Sequence, residues 1–123
     1  MNFSNKDGGK IIFELIKTIQ DKKDFLSEVD GKIGDGDHGI NMNKGFTMTY
    51  CKVNGKDYDM TTAFSVLGDT LLEDIGGSMG PLYGAFFDGL SEASEDHDVI
   101  DKKTFQKMIH TALEACLLYT SDA

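Results

Sequence analysis

The chain has 123 residues, which is enough for one domain and too few for two of ordinary size. Its net charge of −9 and pI near 4.6 argue against nucleic-acid binding and against a basic membrane-surface helix, so we expect neither kind of partner. The apolar fraction of 40% is too high for a disordered chain. No signal peptide or membrane span is visible, and we expect a cytoplasmic protein.

Apolar periodicity predicts helices along the whole chain and no strand. A single proline and few β-branched runs also favour helix over sheet. The predicted helices cover residues 9–26, 38–52, 59–75 and 81–93, and a fifth begins after Asp101. Glycine-rich or acidic segments separate them. Asp59 or Thr61 can cap the third helix, and Asp101 can cap the fifth. The sequence therefore predicts an all-α bundle with short connections.

The densest chemical feature is the acidic, glycine-rich segment 30–39. Asp30, Asp35 and Asp37 lie within eight residues, with glycines between them. Hard cations such as Mg²⁺ prefer carboxylate oxygens, and three like charges held this close repel unless a cation neutralises them. The glycines let the backbone curl so that the oxygens can converge. We expect a metal site here and no helix from Asp30 to Asp37.

Two known motifs can be compared with this segment, and neither fits. Residues 34–39 fit the glycine pattern of dinucleotide-binding proteins, but the preceding pattern is helical where that fold needs a strand. An EF-hand counted from Asp35 has Ile40 and Phe46 where Gly and Glu are required. A solvated acidic loop is the ordinary alternative, since Asp and Gly are common loop residues.

Two glycine-rich segments, residues 30–39 and 76–80, lead into predicted helices. A helix N-terminus offers free N–H groups and partial positive charge, which suit phosphate oxygens. His38 and Asn41 lie on the first turn after the acidic segment and could contact a phosphate or the metal shell. A capping or exposed histidine is the alternative for His38. Residues 76–80 alone would be a helix C-cap and turn, but beside the acidic segment they suggest a second anion-binding helix start.

Two long motifs resemble the nucleotide-binding L subunits of bacterial dihydroxyacetone kinases. Residues 30–46 are similar to the first signature of that family and residues 76–87 to the second, in the same order. The resemblance implies an antiparallel barrel of about eight helices, of which this chain would supply about the first five. It also implies a nucleotide site at one end of the barrel.

The resemblance implies a role for specific residues at that site. Two Mg²⁺ ions would bridge the phosphates of ADP or ATP. The implied metal ligands are Asp30, Asp35 and Asp37. The residues implied to lie against the nucleotide phosphates are His38, Gly39, Ile40, Asn41, Gly77, Ser78 and Met79. No catalytic residue is implied, because phosphoryl transfer is mostly positioning and charge neutralisation.

The implied activity is phosphoryl transfer from the nucleotide to dihydroxyacetone. The implied partners are a separate dihydroxyacetone-binding subunit and, in phosphotransferase-linked systems, a phosphocarrier subunit. The resemblance leaves open a homodimer, and it leaves open whether the phosphoryl donor is ATP or a phosphocarrier. A non-catalytic Mg²⁺/ADP-binding coenzyme or regulatory subunit is an alternative. A plain divalent-cation-binding helical protein is another.

Met79 departs from the family pattern. The family usually has a hydroxyl residue at this position, so only the backbone N–H of Met79 is expected to reach a phosphate. Residues 116–123 also depart, because they resemble an in-frame translation of a common transposase sequencing adapter. We therefore expect residues 1–115 to form a partial kinase domain followed by a non-native tail.

Family members are about 200 residues long, within the usual size of a domain. We therefore expect the present chain by itself to be inactive. Without barrel closure, the apolar stripes of the first and last predicted helices are expected to be at least partly exposed. These stripes are Ile12, Leu15, Ile16 and Ile19 in the first helix and Phe105, Met108, Ile109 and Ala112 in the last.

Overall fold

The computed structural model describes residues 2–77 and 79–122. Within them the helices are α1 Ile11–Asp21, α2 Lys23–Gly31, α3 His38–Val53, α4 Met60–Asp74, α5 Met79–Ser94 and α6 Lys102–Asp122. A 3₁₀ turn, Gly8–Lys10, precedes α1, and two short strands are β1 Asn2–Ser4 and β2 Val99–Asp101. The all-α prediction is confirmed. No helix in the described part of the chain is both long and apolar enough to cross a membrane.

The first predicted helix is two helices. The chain bends at Lys22, whose φ of −105° and ψ of 9° lie outside the helical region. Residues 20–24 are all polar and carry no apolar stripe that would hold one straight helix against the core. The expectation of no helix from Asp30 to Asp37 is also wrong at its first two residues, because α2 ends at Gly31. Asp30 is therefore presented from the last turn of a helix.

The prediction of no strands is wrong. β1 pairs antiparallel with β2, and Phe3 faces the fully buried Ile100 across the pair. Three-residue strands are too short to show the alternation by which strands are recognised in a sequence. Asn5 follows β1, and its side-chain amide donates to Ser94 O at 3.1 Å and His97 O at 2.9 Å. The start of the chain is thus fixed against the end of α5.

Helix α4 lies at the centre of the packing, in contact with α3 and α5, and its Leu67 and Leu71 are fully buried. The predicted caps are present: Asp59 Oδ1 accepts from Thr62 N, and Asp101 Oδ1 accepts from Thr104 N. Each cap satisfies one of the free N–H groups at a helix start.

The predicted exposure of the terminal stripes is wrong for four of their residues. The buried members are Ile12, Ile16, Met108 and Ala112. Helix α1 packs on α3 and α4, and α6 packs on α5 and β2, so each stripe has a partner within this chain. Phe105 is exposed, as expected.

Glycines bring three helices together at the C-terminal end of α4. A Cβ on Gly80 of α5 would lie 2.6 Å from the backbone oxygen of Leu71, closer than real Cβ atoms come, so α5 needs glycine at this contact. A Cβ on Gly45 of α3 would lie 3.0 Å from Ile75 Cγ1, so the Ile75 side chain would have to shift to make room for it. The N-terminal part of α5 is consequently held against the end of α4, which also contacts α3.

A pair of carboxyl groups lies between α4 and α5, away from the glycine-rich loops. Asp88 of α5 is half-buried, and a Cβ on Gly68 of α4 would lie 2.7 Å from its Cγ. Partial burial, a hydrogen bond with the Asp69 side chain and the negative charges of Asp69 and Glu73 raise the pKa of Asp88 to about 7. Between about pH 4 and pH 7 the native state therefore holds a proton at Asp88 that the unfolded chain, in which the pKa is near 4, has released.

We expect Asp88→Asn to flatten the pH dependence of stability. Because the pKa of Asp88 is higher in the native state, its contribution to stability is fully present below about pH 4 and is lost as the pH rises to about 7. An asparagine side chain does not titrate, so the variant does not show this loss. Because solvent screens a half-buried carboxyl, we expect a gain on the order of 1 kcal/mol at pH 8. Urea unfolding at pH 4.5, 6 and 8 measures it, with the exposed Asp57→Asn as control. Equal pH slopes in the wild type and Asp88→Asn would contradict the prediction.

Candidate functional site

Asp30 organises the loop that joins α2 to α3. Its backbone carbonyl accepts from Ile33 N at 3.2 Å and Gly34 N at 2.6 Å, which ends the helix. Its carboxylate Oδ2 accepts from Gly36 N at 3.0 Å and His38 N at 3.3 Å. Gly36 has a φ of +79°, a conformation that favours glycine. One side chain thus connects the end of α2 to the first N–H group of α3.

The loop brings the three predicted metal ligands together. One carboxylate oxygen from each of Asp30, Asp35 and Asp37 lies within 4.8 Å of the others. A hydrogen bond with the Asp37 carboxyl lowers the pKa of Asp35. The same hydrogen bond, with desolvation and the charges of Asp35 and Asp30, raises the pKa of Asp37. The two exposed carboxyl groups are therefore close enough to perturb each other's ionisation.

A cavity of about 450 Å³ joins this cluster to the second glycine-rich segment. Its lining residues are Asp30, Asp35, Asp37, His38, Asn41, Gly76, Gly77, Met79, Leu82 and Tyr83. The cavity is therefore bounded by the acidic loop and by the first turns of both α3 and α5. The two segments that the sequence analysis connected are neighbours in space.

His38 makes the contact between the two sides of this cavity. Its ring nitrogen Nδ1 contacts the thioether sulfur Sδ of Met79 at the start of α5. The Tyr83 ring, one turn further along α5, lies 6.2 Å from the His38 ring between centroids, at an interplanar angle of 41°. Helices α3 and α5 thus meet through side chains at the cavity.

The structure places the predicted site residues in two groups. Asp30, Asp35, Asp37, His38, Asn41, Gly77 and Met79 line the cavity. Gly39 and Ile40 do not: Gly39 is buried against Lys23 O and Ser27 Oγ of α2, and Ile40 is 63% exposed. Successive helix residues point in different directions, so four consecutive positions cannot all face one cavity with their side chains. Ser78 lies outside the described residues.

Leu82 and Tyr83 line the cavity although they were not among the predicted site residues. They follow Met79 by three and four positions on α5, which places them on the same helix face one turn later. That spacing was visible in the sequence. Extending the second segment by one helical turn would have found both residues.

A family model described as the DAK2 domain matches residues 32–122. The chain belongs to the DAK2 domain family. The match includes Asp35 and Asp37, the first turn of α3 and the whole of α5. The resemblance inferred from the two motifs is confirmed.

Curated relatives are dihydroxyacetone kinase subunits. The chain is 40% identical over 97 residues to the ADP-binding subunit DhaL of PEP-dependent dihydroxyacetone kinase 1 of Listeria innocua, covering 78% of this chain and 48% of the relative. It is 37% identical over 98 residues to the ADP-binding subunit DhaL of the PTS-dependent kinase of Lactococcus lactis, covering 79% and 48%. It is 31% identical over 97 residues to the ADP-binding subunit DhaL of the PEP-dependent kinase of Escherichia coli, covering 78% of this chain and 46% of the relative. The chain spans about half the length of these relatives.

We expect Gly39→Ala to displace the acidic loop by pushing α2 away from α3. Its Cβ would overlap Lys23 O of α2, so α2 must move away from α3 and take Asp30 with it. Overpacking of this kind costs about 1–3 kcal/mol of stability. Chemical unfolding measures that loss, and Mg²⁺ titration of the folded variant should show weaker binding.

Gly31→Ala is the matched control, because its Cβ meets only Gly36 Cα at 3.8 Å, an ordinary contact. Gly39→Ala with the stability and Mg²⁺ affinity of Gly31→Ala would show that close packing of α2 on α3 does not support the loop.

Proposed function

We propose that this DAK2 domain protein binds the phosphates of ADP or ATP together with Mg²⁺ and serves as the nucleotide-binding subunit in phosphoryl transfer to dihydroxyacetone. One observation carries the proposal. A single cavity is lined by three converging carboxylates and by the first turns of α3 and α5. Carboxylates bind cations and helix starts bind anions, so the cavity suits a metal–polyphosphate complex.

The acidic cluster supports a metal in this role. Asp35 and Asp37 shift each other's pKa in opposite directions, as close carboxyl groups do, and a divalent cation would neutralise both. Asp30, Asp35 and Asp37 would hold Mg²⁺, which supplies neutralisation of phosphate charge when bound. All three provide oxygen ligands, which hard cations prefer. Anionic phosphates would be repelled by these carboxylates without such a cation.

The two helix starts support the phosphates. The first N–H groups of a helix lack partners within the helix, and α3 and α5 both begin at the cavity wall. Gly76 and Gly77 precede α5 and leave room for an anion to approach the backbone. In this proposal the backbone of these turns binds and orients the phosphates, and no side chain acts as nucleophile or base.

The names of the relatives support one phosphoryl donor over the other. They are ADP-binding subunits of PEP- or PTS-dependent kinases. We therefore propose that ADP is the resident nucleotide and that a phosphocarrier subunit renews its phosphoryl group. A separate subunit would hold dihydroxyacetone. Because the chain spans about half of its relatives, these partners and the complete reaction belong to the proposal.

Calorimetry with three ligands tests the site in the 123-residue chain. Pyrophosphate and ADP should each bind in the presence of Mg²⁺ and not in EDTA, whereas adenosine should not bind, because the proposed contacts are to phosphates and metal. If Mg²⁺ binds but neither pyrophosphate nor ADP does, the result would favour a plain cation-binding protein. Adenosine binding without pyrophosphate binding would contradict the phosphate site.

Product formation tests the reaction. The chain is mixed with a dihydroxyacetone-binding subunit and a phosphoryl donor, and dihydroxyacetone phosphate is measured. Formation of the product, dependent on this chain, supports phosphoryl transfer. Mg²⁺-dependent ADP binding without product supports a non-catalytic nucleotide-binding subunit.

We expect Asp35→Asn to weaken Mg²⁺-dependent pyrophosphate and ADP binding by at least about tenfold, since one charged ligand of the metal is lost. Thermal unfolding should change little, because the carboxylate is exposed. Asp57→Asn removes an equal charge from an exposed position outside the cavity and serves as control. Equal affinities for Asp35→Asn and Asp57→Asn would refute a metal role for Asp35.

A further inference from the structure

Helix α6 carries an apolar stripe that its own chain covers only in part. Phe105, Ile109 and Leu113 follow one another at intervals of four residues and therefore lie along one side of the helix. Phe105 is 40% exposed, Leu113 is 52% exposed and Ile109 is partly buried. Met108 and Ala112, on the adjacent side, are fully buried. The stripe therefore borders the buried side of α6 and extends its apolar surface into solvent.

The main neighbours of α6 in this chain are α5 and β2. A Cβ on Gly89 of α5 would lie 2.7 Å from Ala112 Cα, so α5 and α6 are in close contact on the buried side. Helix α4, in contrast, is covered by both α3 and α5. An apolar helix stripe is buried when another element packs along it. The stripe of α6 thus has room for one further helix beside α5.

The charges of α6 are divided between its two halves. All its lysines, Lys102, Lys103 and Lys107, lie among its first six residues, whereas Glu114 lies in the second half. Lys103, Lys107 and Glu114 are exposed on one side of the helix, next to the stripe. Glu114 Oε1 also lies 2.9 Å from Nε2 of His110 on that side. The stripe is therefore flanked by positive charge at one end and by a carboxylate toward the other.

We propose that α6 is a self-association surface, on which a second copy of this chain covers the stripe in an antiparallel α6–α6 pair. In this arrangement Phe105 of one copy lies beside Leu113 of the other, and the two Ile109 side chains meet. Burial of these side chains drives association. None of the three lines the cavity, so self-association does not depend on the proposed nucleotide site.

Charge complementarity selects the antiparallel orientation. It places Lys103 of each copy beside Glu114 of the other, whereas a parallel pair would place lysine beside lysine and glutamate beside glutamate. Ion pairs at an exposed rim contribute little affinity, but like charges brought together disfavour the wrong arrangement. The charges therefore set the orientation of the pair, and the stripe provides its affinity.

Charge also disfavours a second exposed apolar surface as the contact between copies. Phe25, Val29 and Ile33 are exposed along α2 and the loop that follows it, and they line a groove together with Asp30. Asp30 belongs to the cluster of three converging carboxylates. Two copies that met through this groove would bring their acidic clusters together on chains that each carry a net charge of −9. The lysines of α6 make its stripe the more favourable contact.

Sedimentation equilibrium of the 123-residue chain tests this surface. The wild type should show a monomer–dimer equilibrium. Leu113→Gln removes one apolar side chain from each copy and should raise the dissociation constant at least about tenfold. Leu118→Gln is the matched control, because Leu118 is exposed on a different side of the same helix, and it should leave the dissociation constant unchanged. Circular dichroism should show wild-type helix content in both variants, since both side chains are exposed.

Three results would overturn the proposal. They are a wild type that stays monomeric at about 1 mM, assembly that continues beyond a dimer, and equal dissociation constants for Leu113→Gln and Leu118→Gln.

Charge exchange tests the orientation. Lys103→Glu and Glu114→Lys should each raise the dissociation constant severalfold, because each places like charges beside one another in the antiparallel pair. The double variant exchanges the two charges and should return the dissociation constant to near that of the wild type. Single variants with the wild-type constant, or a double variant that associates no more tightly than the singles, would overturn the antiparallel pairing.

Discussion

Crowding of negative charge is the constraint on which the candidate site depends. Asp30, Asp35 and Asp37 place ligand oxygens within 4.8 Å of one another on a protein whose net charge is already −9. Such an arrangement is unfavourable unless protons, backbone N–H groups or a cation compensate it. The N–H groups of Gly36 and His38 compensate Asp30, whereas Asp35 and Asp37 shift each other's pKa in opposite directions. The charge of that pair is the part of the cluster that a cation would neutralise.

The fold supports this cluster by close packing behind it. Gly39 allows α3 to touch the backbone of α2, and Gly80 allows α5 to touch the end of α4. Both helices consequently begin at one cavity, with positive helix ends facing a negative loop. A larger residue at either contact would separate the helix start from the carboxylates.

The chemical groups of the site were more predictable from the sequence than the contacts between distant segments of the chain. The acidic cluster, the two helix starts and the caps Asp59 and Asp101 follow from local patterns, because each depends on residues close together in the chain. The pairing of Phe3 with Ile100 joins distant segments and leaves no local signal. The contact of His38 with Met79 likewise depends on how α3 and α5 are packed, which no single segment encodes.

Two pairs of carboxyl groups in this protein have shifted pKa values for different reasons, which follow from their surroundings. Asp88 lies half-buried between α4 and α5 beside Asp69, where desolvation is the largest cause of its raised pKa and a proton is the compensation. Asp35 and Asp37 are exposed at a cavity, and their hydrogen bond with each other is the largest cause of both shifts. Among the described residues, the group formed with Asp30 is the one cluster of three acidic, histidine or cysteine side chains whose ligand atoms converge. A proton can relieve the pair at the packed interface. The open cluster, with its third carboxylate, is instead where we propose an exchangeable cation, because that cluster is accessible to a ligand from solution.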